Sequence, residues 1–267
     1  MAKIEDQRIL VWCNSEENLQ QTIIDAVYFA MKLEKEVCLF AHYHTEKEKI
    51  ILQTRVSTFA DIIKKDIPQL SVTILLLKGN LDQLMRDLGE KYNTVMLCFG
   101  GNLTNKLLKA FYKSGFPFYF SRGINQQGIK FKKIIIPVDF RNNTKDATLW
   151  GSYLGRFNQS EIVLLKATDK DPDLKQKVDA IIAFVKKFYN QFIFNYWIND
   201  GKKSSWGIHN EAVGKSFDFD LLIFTGSLNI SLADQIIGPF EKRMIKKSTN
   251  TPILLINPQK EMYVLCT

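Results

Sequence analysis

Lys133-Ile-Ile-Ile-Pro-Val-Asp139 decides the reading of this chain: a short, unbroken apolar run closed by an acid. Arg8-Ile-Leu-Val-Trp-Cys-Asn14 has the same form 125 positions earlier. A continuous apolar run of this length suits a strand buried on both faces, as in a parallel sheet. The elements after each run are also alike. After Asn14, the residues Leu19, Thr22, Ile23, Ala26, Val27, Ala30 and Met31 recur at helical spacing, with Glu16 and Glu17 placed to suit the helix's first turn. Then come the strand Glu36–Ala41, a helix through Leu52, Val56, Phe59 and Ile63 that stops near Pro68, the strand Val72–Leu77, and a helix from Leu81 to Tyr92. Thr94–Phe99, Gly100-Gly101, a helix through Leu103 to Phe111 and the strand Phe116–Phe120 close the series.

The second series has the same order. Ala147, Trp150, Leu154 and Phe157 form a helical stripe, followed by the strand Glu161–Ala167, a helix through Val178 to Phe188 and a strand at Phe192–Trp197. A helix over Gly207–Ser216, the strand Asp220–Thr225, a loop from Gly226, a helix over Phe240–Lys247 and the strand Thr251–Asn257 complete it. Strands alternating with helices predict an α/β fold: two tandem open parallel five-stranded sheets with helices on both faces. The small and polar stretch Arg122–Gly128 suits a linker, giving domains at 1–122 and 129–260.

The 267 residues are 46% hydrophobic and 24% charged, which excludes a disordered or collagen-like chain. Residues 124–267 carry 20 basic and 14 acidic side chains against 16 and 14 in residues 1–123, so most of the net charge of +8 lies in the second half. That excess suits a solubilising surface better than nucleic-acid binding. No run is long enough to span a membrane, and the polar start does not resemble a signal peptide, so a cytoplasmic location is expected. Cys13, Cys38 and Cys98 lie in apolar runs and read as small core residues, while Cys266 is next to last.

In an open parallel sheet, ligands gather at the carboxyl ends of the strands. In the second half that places Asp139, Ala167, Thr168, Gly226, Ser227 and Asn229 together. Asp139 either accepts hydrogen bonds from a ribose or holds a metal–phosphate complex, or it is a plain helix cap. Gly226 is able to take positive φ and bring its backbone to a phosphate.

These residues carry a family resemblance. Ile135-Ile-Pro-Val-Asp139, Asp220-Leu-Leu-Ile-Phe-Thr-Gly-Ser227 and Ile237–Ser248 leading to Pro252-Ile-Leu-Leu-Ile256 resemble the opening strand, fourth strand and closing helix-strand of universal stress proteins. The chain resembles a tandem member of that family, with two Rossmann-like units of the adenine nucleotide alpha hydrolase type. The resemblance implies pairing of the two halves as a pseudo-dimer through the aromatic strand at Phe116–Phe120, and leaves a homodimer open. It also implies a stress-response role as a binding or regulatory module toward a protein partner or small molecule.

Members that bind ATP share a Gly-x2-Gly-x9-Gly-Ser/Thr loop and an Asp at the first strand's end. Here Asp139 and Gly226 match, but Asn229 replaces the second glycine, Gly238 comes one residue early, and Pro239, with neither N–H nor hydroxyl, replaces Ser or Thr. In the first half Asn14 replaces the Asp, and Gly100 to Pro117 spans 17 residues against 26 from Gly226 to Pro252. The expectation is no nucleotide in the first unit and, at most, ATP or AMP in the second, around Asp139, Ala167, Gly226, Ser227, Asn229 and Gly238. The alternative is an adenine-nucleotide-binding protein with slow ATP hydrolysis in the second unit; a third reading is a partner-binding protein with both pockets closed.

Other residues read more plainly. His42 and His44 share one side of a strand end, as in a metal site, but with no third ligand they read as exposed strand-end histidines. His209 stands alone and supports no triad, so no catalytic residue is assigned. Lys242, Arg243, Lys246 and Lys247 make a small basic helix face that reads as solvated surface.

Overall fold

A computed structural model describes residues 7–122, 131–227 and 238–258. The chain divides into two compact units. The first has strands β1 (Arg8–Trp12), β2 (Glu36–Tyr43), β3 (Val72–Lys78), β4 (Thr94–Gly100) and β5 (Phe118–Ser121). Between them lie helices α1 (Leu19–Leu33), α2 (Glu46–Asp66), α3 (Leu81–Glu90) and α4 (Asn105–Lys113). The second has β6 (Lys133–Val138), β7 (Glu161–Lys166), β8 (Tyr196–Asp200), β9 (Leu221–Thr225) and β10 (Ile253–Ile256). Its helices are α5 (Thr144–Asn158), α6 (Pro172–Tyr189), α7 (Ile208–Lys215) and α8 (Phe240–Lys247). No described helix is long and apolar enough to cross a membrane.

The strand order within the first unit is β3-β2-β1-β4-β5, and within the second β8-β7-β6-β9-β10. These are the same order, and every pairing described inside each unit is parallel. Each unit is therefore an open Rossmann-like sheet covered by helices on both faces. The chain winds outward from β1 through β2 to β3, then returns to place β4 on the other side of β1. That reversal opens a crevice at the carboxyl ends of β1 and β4, and its counterpart lies between β6 and β9.

The central strands β6 and β9 are buried along nearly their whole length because each contributes apolar side chains to both helical layers, as Ile134–Val138 and Leu221–Thr225 show, and Ile253–Ile256 of β10 is covered as well. Cys13, Cys38 and Cys98 are completely buried, and burial pushes the first two thiols up, to about 12 for Cys13 and about 11 for Cys38, as suits inert core residues. Helix starts follow local chemistry. Thr45 and Glu48 form a reciprocal capping box on α2, Thr104 caps α4, and Asp171 accepts from the amides of Asp173 and Leu174 ahead of Pro172 on α6.

Three expectations need correction. Glu16 and Glu17 lie outside α1, which starts only at Leu19 after a left-handed Asn18; Glu16 pairs instead with Arg55. The strand expected at Phe192–Trp197 is β8 at Tyr196–Asp200. The aromatic run before it packs rather than pairs: Phe192 lies 4.2 Å under the Arg156 guanidinium, and the Phe194 ring sits so close to Gly155 that a Cβ there would meet it at 2.5 Å. His42, expected to be exposed, is 4% accessible, with Nδ1 3.0 Å from the Gly79 carbonyl, while His44 remains exposed.

Candidate functional site

In the second unit the chain leaves β6 at Val138 and turns on Asp139. The Asp139 carboxylate accepts from the Arg141 amide at 2.8 Å and the Thr144 hydroxyl at 2.6 Å, which bends the loop into α5. Its other oxygen accepts from Arg141 Nε at 2.7 Å. With 3% exposure and three donors, Asp139 has little acceptor capacity left. The helix-turning role and the site position coincide in one residue.

Arg141 and His209 were not singled out as parts of this cluster from sequence. Arg141 Nη2 lies 3.4 Å from the Thr225 carbonyl at the end of β9 and 3.3 Å from His209 Nε2. His209 Nε2 is also 3.7 Å from Asp139 Oδ2. The Arg141 guanidinium stands 5.7 Å from the Phe240 ring centre, and the His209 ring meets Phe240 edge-on at 5.0 Å. Burial first, then the Arg141 charge, lowers the His209 pKa to about 4 against the opposing pull of Asp139. His209 is thus a neutral acceptor for Arg141 at ordinary pH. Side chains of this chain occupy the crevice between β6 and β9.

The remaining candidate residues line the rim. Ala167 is 2% exposed, and its amide donates to the Val138 carbonyl at 2.9 Å. Thr168 beyond it is tied to Gly201 and Lys203. The Gly226 amide donates to Ile256 at 3.0 Å, extending the β9–β10 ladder. The Ser227 amide donates to the Glu241 carboxylate, a buried group in the first turn of α8. Gly238 has φ +90°, a conformation that suits glycine, and Pro239 caps α8 without a donor. Asn229 lies outside the described residues.

The first unit makes the corresponding crevice differently. Asn14 donates through Nδ2 to the His42 carbonyl at 2.6 Å and accepts at Oδ1 from the His42 amide at 2.9 Å. An Asp there would lose the donor and set its charge against a carbonyl, a physical reason for Asn at this strand end. Over Gly100-Gly101 lies Glu17. A Cβ on Gly100 would land on the Glu17 backbone carbonyl, and one on Gly101 on the Glu17 carboxylate. Arg122 donates to the Gly101 carbonyl from below. Gly100→Ala should therefore destabilise by about 2 kcal/mol or more, since the obstructing atom is backbone, and urea unfolding measures the loss.

Both glycine turns thus face a carboxylate of the chain itself: Glu17 in the first unit, Glu241 in the second. His42 and His44 approach with ring centres 5.8 Å apart, but no group of three metal-ligating side chains occurs among the described residues.

No protein-family model matches the sequence, and no curated protein matches it. Solved structures do. A universal stress protein from Archaeoglobus fulgidus superposes with a TM-score of 0.66 at 10% identity, over 95% of this chain and 97% of that one. A universal stress protein from Pseudomonas aeruginosa, itself assigned provisionally, gives 0.64 at 10% identity over 98% and 96%. The cytoplasmic domain of a prokaryotic cation chloride cotransporter gives 0.56 at 11% over 96% and 98%. At such identities the likeness concerns the fold: this chain has a two-unit fold like that of these universal stress proteins over 95–98% of its length.

Proposed function

We propose that this chain, with domains at 1–122 and 129–260, is a cytoplasmic universal stress-type protein that acts as a binding or regulatory module without turnover of its own. Its crevices are not nucleotide sites. The observation that carries this reading is that a carboxylate of the chain itself stands at each glycine turn, the exposed Glu17 over Gly100-Gly101 and the buried Glu241 on the Ser227 amide. A phosphate arriving at either turn would meet a negative charge already in its place. Asp139, saturated by Arg141 and Thr144, is not free for a ribose or a metal ion without first shedding Arg141. The residues present do not fit a nucleoside triphosphate in the second crevice, and no hydrolytic step follows from them.

The fold is compatible with a regulatory role, since one structural neighbour with the same two-unit plan is the cytoplasmic domain of a transporter. Pairing of the two halves belongs to this proposal, as does a partner that is a protein or small molecule rather than nucleic acid.

The alternative, an ATP-binding unit with slow hydrolysis, is decided by one measurement. Thermal melting with magnesium ATP at millimolar concentration is compared with inorganic tripolyphosphate. A ligand at 100 times its dissociation constant stabilises by about 2.7 kcal/mol, so true adenine recognition is easily seen. The expected result is equal shifts for both compounds and no phosphate release. A larger shift with ATP, lost on Asp139→Asn, would reinstate the nucleotide crevice.

A further inference from the structure

Outside the crevice, a cleft of about 430 Å³ lies between the β6–α5 loop and α6. Phe140, Arg141, Asn142 and Lys145 line one side, and Lys177, Ala180 and Ile181 the other. Every charged side chain lining it is basic. We infer that this cleft binds a compact polyanion, a molecule carrying two or more phosphoryl groups.

Two features combine. First, Lys145 and Lys177 face one concavity and neither forms a salt bridge with a carboxylate among the described residues. Two like charges sharing a concave surface repel, and a bound anion relieves the repulsion. Second, Lys145 is held in place: its ammonium stands 4.9 Å from the Phe184 ring centre, which fixes the cation beside the cleft at a reduced ordering cost. Arg141 is already balanced by Asp139, so the unbalanced charge is that of the two lysines. Phe140 and Ile181 supply an apolar wall, which suits an organic phosphate ester as well as a bare polyphosphate.

The volume is within the range of small-molecule sites. The cleft uses neither glycine turn, so it does not depend on whether the crevices are closed.

Inorganic tripolyphosphate is the probe, titrated calorimetrically into the full chain at low and physiological salt. Binding is expected, weaker at the higher salt, and about tenfold or more weaker in Lys145→Gln/Lys177→Gln. Lys177 is exposed and Lys145 is half-buried over Phe184, so that variant loses one cation–π contact and should melt within about 4 °C of the parent. A control with the same charge change near the far end of α6, Lys186→Gln/Lys187→Gln, should keep parental affinity. No heat of binding at about 5 mM probe, or equal losses in the two double variants, would overturn the assignment. Either outcome leaves the crevice question open to its own test, because that one turns on the difference between ATP and tripolyphosphate.

Discussion

Arg141→Ala lowers the stability of the second unit by about 2–3 kcal/mol at neutral pH, and adding Asp139→Asn recovers most of the loss. Arg141 is the only described cation within ion-pair distance of Asp139 apart from His209, which is neutral there. Its removal leaves a carboxylate that is 3% exposed with only the Arg141 amide and the Thr144 hydroxyl as donors. The loss falls below the 3–5 kcal/mol of a fully buried pair because those two donors remain and the Arg141 side chain is itself partly solvated. In the double variant, the Asn amide keeps an oxygen for the same two donors, and its nitrogen comes near the lone pair on His209 Nε2. Chemical denaturation of the four members of the cycle gives the coupling. Additive losses would mean that Arg141 packs against Phe240 without neutralising the acid. The same substitution should raise the pKa of His209 from about 4, because the cation that lowers it is gone and Asp139 remains; a histidine ring titration by NMR reads that shift.

The fold was legible because its signal is repeated and local. Unbroken runs such as Ile134–Val138 and Leu221–Thr225 have nowhere to go but the middle of a sheet, and α8 runs from Phe240 to Lys247, as its stripe predicts. The misplaced strand β8 shows the limit. Phe192 and Phe194 have the same composition as a strand, yet they serve Arg156 and Gly155 as packing, a choice made by tertiary contacts that no window of sequence contains.

The site was half legible. Asp139 announces itself as a strand-end acid, and Arg141, two residues on, was there to be read as its partner. His209 was not: its place in the cluster depends on α7 packing beside β6, a contact between residues 68 apart in sequence from Arg141. Glu17 and Glu241 were harder still. Glu17 reads as an ordinary residue of a helix's first turn and Glu241 carries no signal of its own, and only the three-dimensional path of the chain brings their carboxylates to the glycine turns.

Acid should destabilise this protein already between pH 6.5 and 4, and the two buried histidines are the reason. Burial lowers His209 to about 4, and burial together with the neighbouring Lys106 lowers His42 to about 4, against an ordinary value of 6.5. The unfolded chain takes up these protons as pH falls through 6.5, while the folded chain refuses them until about 4. Stability is therefore complete above about 6.5, falls between 6.5 and 4, and falls no further from this source below 4. Within that window each histidine contributes a slope of up to about 1.4 kcal/mol per pH unit, and His209 alone amounts to about 3 kcal/mol. Asp25 works in the opposite direction. Burial raises its pKa against the hydrogen bonds from Ser121, Gln21 and Tyr119, so the folded state protonates first and gains stability as pH drops below that raised value. Asp25 thus offsets part of the loss from the two histidines. His209→Phe keeps an aromatic ring beside Phe224 and Phe240 but removes the proton, so its stability should decline less steeply from pH 6.5 to 4 than that of the parent. Urea midpoints across that range test this directly: parallel curves for parent and variant would show that His209 titrates freely in the folded chain and that another group sets the acid limit.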